Sequence, residues 1–274
     1  MMSTIYEGRR PWRFASLLVM ALMLLLPTVS CAAQKGAIDK EEFRAVLREV
    51  LAEDPDIILE VLKERSEDVL DIAQQGNALR KRKAMVAQWR QDTQTPKKPD
   101  LKQRAFRGGQ KAPVTIVSYS DFTCPYCRQA EYVIVQILKK YGANVRVTFK
   151  PLPKDTPESQ AAAKLSTAAF MLDPQKGWKV FDALFDGIAD FEHNQDAFVK
   201  RLCADTGLDQ KALAAKAESE AVQSRLDADR EEADGLGISG TPYFLVNDLL
   251  IRGAVSRELF EEAVEMALDL KKKK

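Results

Sequence analysis

Cys124 and Cys127 stand three residues apart in Phe122-Thr-Cys-Pro-Tyr-Cys-Arg-Gln129, and they are two of only four cysteines in a chain of 274 residues. Thiols at this spacing can clamp a metal, staple a turn or cycle as a redox couple. A structural zinc site takes four ligands. Past residue 31 the chain offers only Cys203 and His193 besides the pair, each remote in sequence and in an unrelated context. No metal site and no cofactor is expected. A disulfide that closes so short a loop constrains the unfolded chain little, so an inert staple would add little stability. The redox reading has an argument of its own. Cys124 falls where the β-branched stretch Val114 to Tyr119 gives way to a helical pattern beginning at Pro125, a residue whose missing N–H is harmless in a first helical turn. A thiolate there faces unpaired backbone N–H groups and the positive end of the helix dipole, which favour the charged form. Cys124 is therefore the expected nucleophile. Cys127, one turn inside the helix, is the expected resolving thiol.

A second signal lies far along the chain, in Gly240-Thr-Pro-Tyr-Phe244. A proline that opens a strand after Gly-Thr suits a cis peptide, which proline tolerates far better than other residues. Such a turn would set backbone groups beside the thiols. Together, Ser120-Asp-Phe-Thr-Cys-Pro-Tyr-Cys127, the long helical stretch that follows, and Leu236-Gly-Ile-Ser-Gly-Thr-Pro-Tyr-Phe-Leu-Val-Asn247 resemble the thioredoxin superfamily, and within it the DsbA-like branch, over roughly residues 105 to 270.

The resemblance implies a thioredoxin-like α/β fold with an inserted helical subdomain and a dithiol couple at Cys124 and Cys127. Pro125 and Tyr126 would form the dipeptide between the thiols, and Thr241 and Pro242 would flank a bound peptide and keep metals off the sulfurs. Oxidising members of the branch usually carry histidine in the dipeptide, so Tyr126 implies a less oxidising couple. Many members also place an acid six residues before the first cysteine, where this chain has Ser118. Asp121 and Lys150 are then the candidates for a proton relay, with a surface charge or a strand-end lysine as the plainer reading of each. Cys-Pro-Tyr-Cys also resembles glutaredoxin, which lacks the long helical insertion.

The elements that must position these residues read as follows. Val114 to Tyr119 is a strand, Gln129 to Tyr141 a helix with Ala130, Val133, Ile134, Ile137 and Leu138 on one side, and Asn144 to Lys150 a second strand. Residues 157 to about 234 are helical almost throughout, broken at Asp173-Pro174, His193-Asn194 and Thr206-Gly207. Thr241 to Val246 and Leu249 to Arg252 form a hairpin about Asn247-Asp248, and Arg257 to Leu270 is a closing helix. Trp178 and Phe181 read as core of the insertion, Cys203 as a buried free thiol on a helix face, and His193 as surface loop. A lone histidine leaves Cys-His hydrolysis without support.

Before the catalytic region the pattern changes. Phe43, Val46, Leu47, Val50 and Leu51 repeat at helical spacing, Asp54-Pro55-Asp56 restarts the chain, and Ile58, Val61, Leu62, Val69 and Ile72 continue an apolar stripe. Beyond Gly76 the stripe thins to Leu79, Met85, Val86 and Trp89, too sparse for a core of its own, so it needs a partner surface, either another copy of itself or the catalytic domain. Leu51-Ala-Glu-Asp-Pro-Asp-Ile-Ile-Leu-Glu-Val-Leu62 resembles the oligomerisation stalks of ScsC-like periplasmic isomerases, which implies a homodimer or homotrimer. Two helices folded back on a monomer are the alternative. The expected divisions are a signal peptide over 1–31, a helical stalk over 32–92, a Pro- and Lys-rich linker over 93–111, the DsbA-like domain over 112–270 with its insertion at about 155–235, and a basic tail over 271–274.

Arg9, Arg10 and Arg13 precede an apolar run from Phe14 to Leu26 that ends at Pro27 and the small residues about Ser30 to Ala33. That is the composition of a secretory signal, and the run is short for a membrane span. Export to a periplasm or its equivalent is expected. Lipid attachment at Cys31 is disfavoured by Thr28 three residues before it. Removal of residues 1–31 leaves 38 basic against 39 acidic residues, a balance that argues against a nucleic-acid partner. The function implied is disulfide isomerisation or exchange on cysteine-containing exported proteins, recharged by a redox partner protein. The alternatives are a monomeric dithiol oxidase and, from another class, a non-catalytic holdase or copper-handling thiol protein.

Overall fold

The computed structural model describes residues 39–272. The expected signal peptide, Cys31 and the end of the lysine tail lie outside them. Contacts divide the chain into two units, one ending at Leu70 and the other running from Asp71 onward.

The first unit is helical. Helix α1 spans Lys40–Glu53 and α2 Asp56–Glu64, and α3 begins at Ser66 and runs to Asp92 in the second unit. The chain restarts at Asp54-Pro55 as the sequence suggests, although Pro55 rather than Asp54 holds the N-cap position and no side chain caps it. A further break at Arg65, absent from the sequence reading, separates α2 from α3, whereas Gly76 is carried within α3 without interruption. Neither α1 nor α2 buries a residue, and Phe43, Val46, Leu47 and Val50 stay exposed along one side of α1.

The second unit is built on a five-stranded sheet in the order β1-β3-β2-β4-β5, with β1 at Arg107–Gly108, β2 at Val114–Ser120, β3 at Val145–Pro151, β4 at Tyr243–Val246 and β5 at Leu249–Arg252. Helix α4, Pro125–Tyr141, connects β2 to its parallel neighbour β3, and β4 runs antiparallel to β2. Alternation along the strands sorts their side chains between the two faces of the sheet. Val114, Ile116, Phe149, Phe244 and Val246 join a large core with α4, the closing helix α10 (Arg257–Lys272) and the insertion. Val117, Tyr119 and Leu245 join a smaller core with Ala233 and Ile238 on the opposite face.

The insertion comprises α5 (Pro157–Leu172), α6 (Pro174–His193), α7 (Gln195–Thr206), α8 (Gln210–Ala217) and α9 (Glu220–Gly235). Its breaks fall where the turn residues stand. Asp173 caps α6 by accepting from Gln175 N and Lys176 N, Asn194 caps α7, and Gly207 closes α7 in the left-handed region at φ 68°. Trp178 and Phe181 are insertion core, and Cys203 is buried. His193 is exposed but ends α6 rather than lying in a loop.

Two segments that precede residue 112 dock on the sheet. The end of α3 belongs with the sheet: Trp89 is fully buried, its Nε1 donates to Leu250 O at 2.9 Å, and Asp92 Oδ2 accepts from Leu250 N at 3.1 Å. These side chains satisfy the outward backbone groups of an edge strand, which would otherwise invite pairing with another chain. The stretch expected as a linker is likewise docked. Lys97 donates to Asp92 and to Asp248 O, and Arg104 forms a buried ion pair with Asp229 of α9. Proline and lysine deprive this segment of periodicity without making it loose.

Candidate active site

The end of β2 and the start of α4 place the thiols. Cys124 is the N-cap of α4 in extended conformation, at φ −85° and ψ 119°, and Pro125 follows inside the first turn. No side chain caps this helix, and its first turn holds no acidic residue, so its N–H groups are left for whatever sits at Cys124. The turn before it is built by Asp121. That carboxylate accepts from Thr123 N at 2.9 Å, from Thr123 Oγ1 and from Ser159 Oγ at 2.9 Å, tying the loop to α5. Phe122 packs on Phe149, Phe181 and Phe185 at centroid distances of 5.1, 5.8 and 4.7 Å. The insertion thus holds the residue two places before Cys124, worth on the order of 1 kcal/mol per aromatic pair beyond area burial.

The two sulfurs are placed differently. Cys124 retains 5% exposure and its Sγ–H points to Thr241 O at 3.8 Å, while Cys127 is fully buried and its sulfur accepts from Asp121 N at 3.5 Å. Burial pushes the Cys127 thiol up to about 12, opposed by the polar surroundings of Ser120 and Thr241 and by the bond from the Asp121 amide. A thiol so placed is protected until a mixed disulfide forms beside it. Pro125 and Tyr126 are exposed, Tyr126 by 64%. The Thr241–Pro242 peptide is cis and stands against Cys124 from the other side of the site. The structure therefore brings Cys124, Cys127, Pro125, Tyr126, Thr241 and Pro242 together. Among the described residues no cluster of three or more His, Cys, Asp or Glu side chains is arranged to hold a metal.

The two relay candidates are placed apart, Asp121 in the loop before Cys124 and Lys150 on the far face of the sheet. Asp121 reaches Cys127 through its backbone N–H, its carboxylate being taken up by Thr123 and Ser159. Strand alternation decides the side on which Lys150 lies. Its neighbour Phe149 faces the thiol side, so Lys150, opposite Tyr119 in the register, faces the other way. Its fully buried ammonium pairs with Glu232 at 2.5 Å and Asp229 at 3.3 Å.

The titratable carboxyl on the thiol side is one the sequence reading passed over, Glu131. It accepts from Ser118 Oγ at 3.3 Å, so the strand position that lacks an acid instead donates to one on the helix. Desolvation by burial pushes Glu131 up to about 7, with Ser118 and Arg107 opposing. Its spacing of four from Cys127 was the available signal, because residues i and i+4 share a helix face.

A groove of about 1440 Å³ runs along this face, bounded by the α3 residues Leu79 and Met85, by Tyr126 and Pro242 at the thiols, and by Val255 and Leu259.

A thiol pair at a helix N-terminus after the central strand, facing a cis proline that opens the neighbouring strand of such a sheet, is the dithiol site of a thioredoxin fold. The chain belongs to the thioredoxin family, whose profile matches residues 100–266. Its relatives include the Na(+)/H(+) antiporter NhaA 3 of Salinispora tropica, 32% identical over 178 residues that make up 64% of this chain and 26% of that protein. The chain thus spans about a quarter of the length of the first curated relatives it matches. Disulfide bond formation protein D of Bacillus subtilis is 25% identical over 178 residues, 62% of this chain and 79% of that protein. Among solved structures, Proteus mirabilis ScsC in a transitional conformation superposes with a TM-score of 0.51 at 21% identity, covering 85% of this chain and 98% of that one, a likeness of fold.

Proposed function

We propose that the protein is a thiol–disulfide oxidoreductase that rearranges disulfides in exported proteins. The observation that carries this reading is the asymmetry of the pair, with Cys124 at the helix mouth against Thr241 O and Cys127 sealed behind it. The Cys124 thiolate attacks one sulfur of a client disulfide. A Cys124–client disulfide forms as the client bond breaks, and the second client sulfur leaves as thiolate. If another client thiolate displaces Cys124, the bond has moved with no net electron transfer. If Cys127 displaces the client sulfur, a Cys124–Cys127 disulfide forms and the client departs reduced by two electrons, which a redox partner protein must return to the couple. Resolution requires Cys127 to lose a proton, and Glu131, one turn further along α4 and poised near neutrality, is the acceptor on that face.

Isomerisation is favoured over one-way oxidation by the first unit. Phe43, Val46, Leu47 and Val50 form an exposed apolar stripe, and a second or third copy of the chain is the surface that would bury it. Export rests on the basic and apolar residues before Pro27. The antiporter relative supports only the shared region, and no helix among the described residues is long and apolar enough to cross a membrane. Refolding of scrambled ribonuclease tests the activity: restored ribonuclease without added oxidant supports an isomerase, and action on reduced ribonuclease alone would assign an oxidase. Light scattering on the full chain, with and without Leu47→Glu, tests the assembly, which should fall to a monomer in the variant.

A further inference from the structure

The groove beside the thiols has a wall that the thioredoxin fold does not supply. Its lining includes one side of α3 between Gln75 and Gln88, all of which precedes the family-matched region. We propose that this part of α3 is one side of the client cleft, and that the occupant is an extended, cysteine-bearing polypeptide segment laid between α3 and the Thr241–Pro242 loop. The inference rests on the oxidoreductase reading and names its substrate class.

Three observations carry it. Size comes first: small-molecule sites measure about 300–1,000 Å³, and this groove, at about 1440 Å³, exceeds what a glutathione-sized disulfide would fill. Continuity comes second. Thr241, Pro242 and Tyr126 line the groove, and Thr241 O is 3.8 Å from Cys124 Sγ, so a chain held there presents its own sulfur to the nucleophile. The third is the chemistry of the walls. Leu79 is 49% exposed and Tyr126 64%, with Met85, Val255 and Leu259 half-buried around them, while Arg82, the guanidinium on the helical side, is already paired with Glu262 at 2.8 Å. Lys81, Arg252, Glu258, Glu261 and Glu265 also line the groove, so its walls set apolar patches among charges of both signs, a surface suited to an extended segment of mixed sequence.

The wall is also fixed in place. Trp89 and Asp92 fasten α3 to both backbone groups of Leu250, and Arg82 fastens it to α10. A site on rigid elements needs no closure to form. An extended segment can enter such a cleft where a folded domain cannot, so selection for unfolded clients is built into the helix that precedes the catalytic domain.

The test uses the full chain with Leu79→Glu and Met85→Glu together. Turnover is compared between scrambled ribonuclease and glutathione disulfide. Placing two charges on an apolar wall should lower kcat/KM for ribonuclease relative to that for glutathione disulfide by about tenfold, through KM. In parallel, a photo-crosslinker at position 79 in a Cys127→Ala background should capture ribonuclease held on Cys124, and one at the exposed Val135 of α4 should not. An unchanged ratio, or equal capture at 79 and 135, would overturn the assignment of α3. No exchange by the unaltered protein with either substrate would instead remove the oxidoreductase reading itself, and this one with it.

Discussion

The two faces of the central sheet both bury charge, and they bury it differently. Away from the thiols, Lys150, Arg104, Asp229 and Glu232 form a closed set in which each cation meets a carboxylate, with the Tyr119 hydroxyl donating to Glu232. On the thiol side, among the described residues, Glu131 meets only the hydroxyl of Ser118 at hydrogen-bond distance. Closure makes the first group structural, because removing one member strands the others in a dry interior. The open partnership of Glu131 leaves its proton free to move near neutral pH. Burial with every charge directly paired marks the structural set, whereas burial against one hydroxyl, with Arg107 acting only from a distance, marks the titrating group.

That contrast can be broken most forcefully at Lys150. Lys150→Met should cost about 3–5 kcal/mol in urea unfolding by leaving Asp229 and Glu232 undercompensated, while thiol exchange per folded molecule stays at the original level. A comparable loss of exchange would return Lys150 to the mechanism. Glu131→Gln should do the reverse. It should slow resolution of the mixed disulfide on the order of 10²-fold and flatten its pH dependence near 7, as read by quenched-flow and gel shift.

The same substitution has a signed effect on stability. The folded-state value of Glu131 lies above its ordinary 4.5, so the native state binds the extra proton. Its favourable contribution is complete below about 4.5 and is lost as pH rises through about 7. Above pH 8, Glu131→Gln should therefore unfold about 1–2 kcal/mol later than the unaltered chain, a figure reduced for the partial exposure of the residue, and below pH 4 the gain should vanish. Tyr119→Phe comes next, at about 1 kcal/mol for one lost hydrogen bond. Ser118→Ala should have the smallest effect on stability. It removes a bond that holds the Glu131 value down, so the pH midpoint of resolution should move upward.

Much of this arrangement could be read before any coordinates. The Cys-Pro-Tyr-Cys stretch, the Pro at the helix start, the turn residues at Asp173, Asn194 and Gly207, and Pro242 all act through local backbone chemistry, and local chemistry is legible in sequence. What escaped was set by distant pairing. Arg104 meets Asp229 across 125 residues and Trp89 meets Leu250 across 161, so nothing near either residue announces these partners, and the sparse stripe about Trp89 leaves open whether another copy or the catalytic domain covers it. Lys150 reads as a relay candidate or, more plainly, as a strand-end lysine, and its side of the sheet follows only from counting alternation, because a single position in a strand reverses the face. Glu131 was missed for a related reason. The acid was sought at the strand position, whereas the chain places a serine there and moves the carboxyl onto α4.

Trapping the exchange intermediate tests the account at its centre. Reduced Cys127→Ala and Cys124→Ala chains are each mixed with scrambled ribonuclease, quenched with acid, and mapped by mass spectrometry for the cysteine joined to the client. The account predicts a mixed disulfide at Cys124 that accumulates in the Cys127→Ala chain, and none in the Cys124→Ala chain. A client bound through Cys127, or equal trapping by both variants, would contradict it.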